Sequence, residues 1–383
     1  MTVVVVGGGI VGAAAAYSLA ERGCDVVCCE KGSIGSGSTE RSAGGIRTQF
    51  STRVNVRLSL ASIAVWESFE AEFGVDIEYR RSGYLFLARE EETAEDFAAN
   101  VAMQQEEGAD SELLTPAEAR EHCPGLDATA FRTATYCPTD GFADPHLALQ
   151  GYSQAAAEAG VDVRTKTPVT DVNRDADGRV TGVETPDGTI EADYVVNAAG
   201  PWAGQLNGLA GVDLPVAPKR RQVAIVDPAT PVPESNPLTI DLDTGSYFRP
   251  EREGAALVGG HFGGDDPDAD PDRFSATADT DWTIEAVEHA ADYADYFGPE
   301  TRIKNGWAGL YAVTPDHHPI VDEVAPGYLA AIGFSGHGFQ HAPATGRIVA
   351  DLVVDGETDL VDLDALSADR FERGETHDER NVA

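Results

Sequence analysis

Residues 2–30 read TVVVVGGGIVGAAAAYSLAERGCDVVCCE, and this stretch decides the fold. Thr2–Val6 is a β-branched run, apolar throughout, as a strand buried on both faces of a parallel sheet requires. Gly7-Gly8-Gly9-Ile10-Val11-Gly12 follows, then helix formers from Ala13 to Arg22, with Gly23 closing the helix. Cys24–Glu30 is a second buried strand that ends in an acid. Strand, glycine turn, helix and strand in this order form the G-x-G-x-x-G fingerprint of dinucleotide binding. Gly7 permits the tight turn, Gly9 brings backbone against a pyrophosphate, and Gly12 lets the helix pack closely on the strand. The cofactor positions here are Gly7, Gly9, Ile10, Val11 and Gly12. Glu30, 23 residues after Gly7, is placed to accept hydrogen bonds from an adenosine ribose. An acid there disfavours a 2′-phosphate, which argues against NADP.

Composition narrows the partners. The chain of 383 residues has 27 Lys+Arg against 65 Asp+Glu, a formal net charge of −38. Only Lys31, Lys166, Lys219 and Lys304 are lysines, so Arg supplies the other cations. A nucleic-acid binder, or a protein held on anionic lipid, needs a positive face to displace counterions, and this balance argues against both. Hydrophobic residues make up 42%, too many for an acidic disordered chain. The acid excess and scarce Lys suggest a cytoplasm at very high salt, where screening shrinks self-repulsion. The five Cys include no C-x-x-C pair, which favours neither a disulfide framework nor a zinc site. No stretch reads as a membrane span, and the apolar start lacks the basic flank of a signal peptide.

The segment after Glu30 chooses between cofactors. Lys31–Gly45 (KGSIGSGSTERSAGG) is rich in Gly and Ser and far too long for an ordinary strand-to-helix link. Here the chain resembles the FAD-dependent amine and amino-acid oxidoreductases typified by D-amino-acid oxidase. Within that family it is most like sarcosine-oxidase-type β subunits and the β subunit of archaeal L-proline dehydrogenase. The residues carrying the resemblance are GSGSTERSAGGIRTQF (35–50), SGYLFL (82–87), NAAGPWAG (197–204), YAVTPDHHPIV (311–321) and GFSGHGFQHAPATGRIVADL (333–352), in order across nearly the whole chain. The resemblance implies FAD as cofactor. It assigns Lys31, Ser38, Thr39, Ser42 and Gly44 to cofactor contacts, sets Val169 beside the adenine, and places Ala198, Gly200 and Trp202 near the cofactor's centre.

Two readings of the residues agree with this. Val172–Val196 holds two Asp-Gly turns, Asp177-Gly178 and Asp187-Gly188, between alternating runs. It reads as a small meander delivering the strand Tyr194–Asn197 back to the main sheet. Leu329–Gly333 reads as a buried strand, followed by the glycine turn Phe334–Gly338 and the helix Ala342–Val354. Backbone N–H groups at such a turn form an anion or carbonyl site. In the resembled family this turn lies against the isoalloxazine, which implicates Gly336, His337, Gly338, Phe339 and Gln340.

Oxidising an amino acid requires that the substrate carboxylate be fixed, and a planar bidentate cation, Arg, does this best. Arg47 occupies the position of the substrate-carboxylate Arg of sarcosine oxidases. Tyr311 matches an active-site Tyr of the family, and Tyr247 is its weaker counterpart. Departures matter as much. Gly309 stands where monomeric sarcosine oxidases bond flavin through Cys, which implies non-covalent FAD. Gln340 stands where they have a carboxylate-binding Lys. The stretch 260–267 (GHFGGDDP) lacks their oxygen-activating Lys. A positive charge beside the flavin stabilises developing superoxide, so fast reaction with oxygen is not expected. His317-His318 is not a metal pair, because adjacent residues on a strand point to opposite faces.

The expected architecture is α/β (α+β overall): a Rossmann-like FAD-binding domain and a second domain built on a mostly antiparallel sheet. The first collects residues 1–80, 145–215 and 325–365. The second collects 81–144 and 216–324, with strands around 84–87, 222–226 and 255–259. Residues 366–383 read as a solvated tail, and the acidic loop Asp265–Asp272 as solvent-exposed and away from the cleft. The expected activity is hydride transfer to flavin N5 from a small secondary amine or N-methyl amino acid of the sarcosine, dimethylglycine or L-proline class. A glycine or D-amino-acid oxidase is the alternative, and an FAD-binding assembly factor without turnover is the alternative from another class. The electron acceptor is oxygen, a carrier or a partner subunit, and an oligomer is compatible with the family.

Overall fold

The computed structural model describes residues 1–263 and 266–382. Thr2–Val6 forms a strand inside a six-stranded sheet. The order is Ile320–Ala325, Tyr328–Ile332, Tyr194–Asn197, Thr2–Val6, Asp25–Cys29, Asp162–Arg164. Neighbours run parallel except Ile320–Ala325, which lies antiparallel at the edge.

The period of two along Thr2–Val6 explains the layers. Val3 and Val5 meet Ala15, Ala16 and Leu19 of the helix Ile10–Glu21 and Ile348 and Val349 of the helix Gly338–Val354. Val4 and Val6 face the other way, onto Val172, Val180, Val183 and Ile190. Those residues belong to a three-stranded antiparallel sheet, Asp171–Arg174, Val180–Thr185 and Gly188–Glu191, the meander read from its two Asp-Gly turns. The two helices approach closely because a Cβ at Gly346 would stand 2.7 Å from the Ala14 carbonyl oxygen.

The second sheet has eight strands, in the order Arg302–Val313, Ala217–Asp227, Ala256–Gly260, Ser246–Pro250, Leu238–Asp241, Tyr84–Ala88, Thr133–Cys137, Glu112–Leu114. Only Leu238–Asp241 and Tyr84–Ala88 pair in parallel. Alternation again sets its two faces. Leu85, Leu87, Phe248 and Val258 pack under the helix Thr280–Ala291, against Ala286, Ala290 and the following Tyr293. Tyr84, Phe86, Ile240 and Tyr247 form the opposite face and line a cavity between the two sheets.

Three expectations need correction. Residues 320–324, assigned by sequence to the second domain, pair with Tyr328–Ile332 and so extend the first sheet. The acidic loop was expected to stand clear of the cleft; Asp265 falls outside the described residues, but Asp266 and Asp272 are tied to residues lining the cavity. Residues 366–382 are a solvated tail only in part: 372–378 are exposed, but the segment is anchored on either side, with Arg370 and Glu379 each 1% exposed and Asn381 4% exposed. The physical reason is polar rather than apolar. The Arg370 guanidinium forks onto both oxygens of buried Asp316, at 2.7 and 3.0 Å, and donates to the His318 carbonyl at 2.9 Å. Burial pushes the Asp316 carboxyl upward, and Arg370 more than offsets it, leaving the group below its ordinary value.

Removing one partner of such a pair strands a buried charge, which costs about 3–5 kcal/mol. Arg370→Ala is therefore expected to lower the unfolding free energy, read by denaturant titration, by an amount of that order. A shift under about 0.5 kcal/mol, the size of an ordinary surface change, would show that the segment is not anchored this way.

Candidate active site

A cavity of about 410 Å³ runs between the sheets, within the range of ~300–1,000 Å³ usual for small-molecule sites. Two glycine turns from opposite ends of the chain form its floor. Gly7 has φ +117°, and a Cβ there would lie 2.4 Å from the Ala198 carbonyl oxygen. A Cβ on Gly12 would lie 1.9 Å from the Gly7 carbonyl oxygen. Gly12 does not line the cavity; it seats the helix against the turn, while Gly7, Gly9, Ile10 and Val11 line it. At the other turn Gly336 has φ +95°, and its missing Cβ leaves room for the Tyr311 ring, 2.4 Å from where it would stand.

The helices beginning at these turns, Ile10–Glu21 and Gly338–Val354, have no acid in their first turn and no side-chain cap of their own. In a chain with 65 acids this leaves two helix N-termini with their positive dipole ends toward the cavity, available to an anion or carbonyl, although Thr39 already takes the Ile10 amide of the first. Glu30 closes one end. Its Oε2 accepts from the Gly8 amide at 2.8 Å and its Oε1 from the Gly32 amide at 2.6 Å, which shapes the first turn. Thr39 Oγ1 accepts from the Ile10 amide at 3.1 Å, and Ser38 Oγ donates to the Leu310 carbonyl at 2.6 Å. Ser42 Oγ accepts from the Gly44 amide at 3.1 Å; Gly44, φ +72°, has no room for a Cβ against the Ala143 carbonyl. Val169, Ala198, Gly200 and Trp202 line the same side.

A latch spans the mouth here. Asp272 accepts from Lys31 Nζ at 2.7 Å, Trp202 Nε1 at 2.8 Å and Gln205 Nε2 at 3.0 Å, and Lys31 sits 3.9 Å from the Trp202 ring centre. Hydrogen bonds from Gln205, Lys31 and Trp202 hold the Asp272 carboxyl down at about 2. Its contribution is thus present above the ordinary carboxylate range, roughly pH 4, and is lost as pH falls through about 2.

At the far end Arg47 is 6% exposed. Its Nη1 donates to the Gln49 carbonyl at 2.5 Å and its Nη2 to the Asn381 carbonyl, so both arms of the fork are engaged by backbone oxygens. The guanidinium lies 3.8 Å from the Phe50 ring centre and 5.2 Å from that of Phe86. Gln340 does not reach across the cavity: its Oε1 accepts from the Arg47 amide at 2.8 Å, and its own carbonyl accepts from Trp66 Nε1. His337 Nε2 lies 3.3 Å from Arg47 Nη2. Burial, then Arg47, push the His337 imidazole well below its ordinary value, so a neutral ring accepts from Arg47, which can only donate. Gly338 and Phe339 complete the turn, and Tyr247 and Tyr311, both half-buried with hydroxyl pKa raised by desolvation, form the wall opposite.

Three residues at the site had no role assigned from sequence. Tyr84 packs its hydroxyl against Gly45, where a Cβ would lie 2.1 Å away. Arg221 lines the cavity and forks onto Asp266 at 2.8 and 3.0 Å. The run Lys219-Arg220-Arg221, unusual in so acidic a chain, was the available signal. Asp140 stands behind the site, accepting from the Thr48 amide and hydroxyl and from Gln49 Nε2; burial raises it to about 6.

A parallel sheet with a glycine fingerprint, a second sheet roofing the cavity and a glycine turn at the start of the last long helix define a two-domain flavoprotein oxidoreductase. The chain belongs to the family described as "DAO: FAD dependent oxidoreductase", whose model matches residues 2–352. It is 34% identical to FAD-dependent oxidoreductase domain-containing protein 1 of Xenopus laevis, over 99% of this chain and 84% of that protein. Among solved structures, L-proline dehydrogenase from P. horikoshii aligns with TM-score 0.89 and 34% identity over 98% of this chain and 99% of that one. Glycine oxidase from Geobacillus kaustophilus aligns with TM-score 0.82 and 29% identity, over 96% and 97%. The protein is an FAD-dependent oxidoreductase acting on CH–NH or CH–NH2 donors. The open helix ends and the glycine cradles fit that cofactor. Glu30 with the Gly7–Gly9 turn would hold the adenosine and pyrophosphate portions, and the Gly336–Phe339 turn the ring. Gly309, with Arg41 packed 3.0 Å from where its Cβ would stand, offers no atom for a covalent link.

Glu30→Gln would turn an amide nitrogen toward one of two backbone donors. Loss of a hydrogen bond to a charged group is worth about 1.5–3 kcal/mol, so FAD dissociation should rise by tenfold or more, read from flavin absorbance after gel filtration. Unchanged retention would remove Glu30 from the cofactor site. Asp272→Ala is expected to speed flavin loss on dilution while leaving the thermal midpoint nearly unmoved. An unaltered off-rate would mean that the latch does not guard the cavity.

Proposed function

We propose that this protein is a dehydrogenase, or a slow oxidase, of a small secondary amine or N-methyl amino acid of the sarcosine, dimethylglycine or L-proline class. The observation that carries the reading is Arg47: a buried guanidinium in the cavity wall, with no ion-paired carboxylate among the described residues, beside a neutral His337 and facing Tyr311 and Tyr247. A carboxylate entering this end would meet a planar donor fork in a water-poor setting, where charge-assisted hydrogen bonds are strong. FAD, when bound, accepts the hydride from the carbon bearing nitrogen. The chain's own part is to orient that carbon and exclude water. Phe86, Leu238, Ile240 and Tyr247 provide apolar and aromatic walls that suit N-alkyl or ring methylenes. The similarity to an L-proline dehydrogenase at 34% identity supports the secondary-amine choice, and the glycine oxidase similarity keeps glycine in the test panel.

Slow reaction with oxygen follows from charge as well as from the missing Lys. Arg221 is neutralised by its fork onto Asp266, and Lys219 is held by Asp266 and Asp268. Neither is left as an unpaired cation to stabilise superoxide, and Arg47, at the other end of the cavity, is taken up by carbonyls or by the substrate carboxylate. We also place the protein in a cytoplasm at high salt, on the strength of its −38 charge; a thermal midpoint that rises steadily through molar KCl is the expected behaviour.

Anaerobic titration with sarcosine, dimethylglycine, L-proline, D-proline, glycine and D-alanine tests the assignment. Bleaching of the flavin by one of the secondary or N-methylated amines is expected, and bleaching by glycine or D-alanine alone would overturn it. With the active substrate, Arg47→Lys should raise KM by about 10- to 100-fold, since a bidentate charged contact is worth roughly 1.5–3 kcal/mol. Reduced protein mixed with oxygen should reoxidise more slowly than it turns over with an artificial acceptor. Asp266→Asn, which frees Arg221, should quicken that reoxidation.

A further inference from the structure

Arg47 is engaged by residues 379–381, and the way they are fastened bears on ligand entry. Asn381 brackets the guanidinium: its carbonyl accepts from Arg47 Nη2, while its Nδ2 donates at 3.1 Å to the Gln49 carbonyl that takes Nη1. Glu379 is the peg. Its carboxylate accepts from the Ser51 amide and hydroxyl at 2.7 Å each, Thr52 Oγ1 at 2.8 Å, Asn55 Nδ2 at 3.0 Å and the Asn381 amide at 3.1 Å. Arg380, between them, donates its amide to Ser51 Oγ and points its exposed side chain at Asp96, 2.8 Å away. Asn381 also lines a second cavity, of about 320 Å³, together with Asp96, Phe97, Asp243 and Arg380. The same residue lines the first cavity. Asn381, in a segment held by hydrogen bonds and an ion pair, is thus common to the linings of both.

We propose that Glu379–Asn381 is a strap that gates the carboxylate end of the active site, with Asn381 as a positioning residue for Arg47. Closed, the strap lends Arg47 a neutral carbonyl and blocks one arm of its fork. A ligand carboxylate displaces that carbonyl, because a charged acceptor binds a guanidinium roughly twice as strongly as a neutral one. The strap then swings outward and joins the two cavities. This rests on Arg47 as the carboxylate anchor. It predicts that apparent affinity is set partly by the closed population, since the observed dissociation constant is the intrinsic one divided by the open fraction.

The test uses the FAD-loaded protein and acetate as the probe, followed by perturbation of the flavin spectrum. Glu379→Gln keeps the shape of the peg and removes its charge; Arg380→Ala loosens only the outer contact and leaves the buried bonds intact. Both are expected to bind acetate more tightly than wild type, Glu379→Gln by about fivefold or more. In wild type, saturating acetate should speed trypsin cleavage after Arg380 several-fold, scored by mass, a readout that needs no turnover. If Glu379→Gln does not fold, Arg380→Ala and the cleavage assay decide. Acetate binding that Arg47→Lys abolishes, but that is unchanged or weaker in the strap variants with unaltered cleavage, overturns the gate and leaves the anchor standing. Acetate that binds in none of these proteins overturns the anchor and the gate together.

Discussion

A guanidinium buried without a matching carboxylate is the constraint on which the far end of this molecule depends. Transferring a charge out of water is costly unless dipoles replace the lost hydration. Arg47 obtains them from the carbonyls of Gln49 and Asn381 and from the faces of Phe50 and Phe86. Each provider is itself fixed. Asp140 and Thr135 hold the Gln49 side chain, Gln340 holds the Arg47 amide, and Glu379 holds the strap that carries Asn381. Burial first, and then this positive charge, keep the nearby imidazoles neutral: His341, fully buried, is pushed down to about 3. Much of the polar interior is arranged around this one cation.

The other end obeys a steric rule. Backbone must touch backbone where Gly7, Gly12 and Ala198 meet, and where the Gly336 turn receives the Tyr311 ring. The first helix and the last long helix both start there and lie side by side on one face of the sheet. The Val6–Val11 turn and residues 333–340, far apart in the chain, therefore form the floor of one cavity.

Much of this was legible in the sequence. The β-branched run, the glycine spacing and the two Asp-Gly turns are local signals, and they gave the parallel sheet and the meander. The positions assigned to the cofactor, from Gly7 to Gln340, line one cavity apart from Gly12, whose part is in packing. What was not legible depends on long-range polar pairing. Residues 366–382 are too polar to advertise burial, yet Arg370 finds Asp316 and Glu379 finds five donors. The acidic loop looked like a solvated run, but Asp266 and Asp272 meet cations and donors at the cleft because Arg221 and Lys31 are brought there by other strands. The long edge strand Arg302–Val313 carries Arg, Lys and Asn on its exposed half, so alternation did not reveal it. Arg221 and Tyr84 alternate onto the cavity face of the large sheet, which only register decides.

The role proposed for Arg47 is recognition of the substrate's carboxylate. Its most direct test compares whichever amino acid reduces the bound flavin with the carboxamide of that same amino acid, as rates of anaerobic flavin reduction. The carboxamide keeps the reacting C–H and the nitrogen, and removes the charge and one of the two acceptors that a guanidinium fork would meet. The account predicts kcat/KM for the carboxamide lower by about 100-fold, the worth of a charged bidentate contact. Equal rates for the two compounds would contradict it.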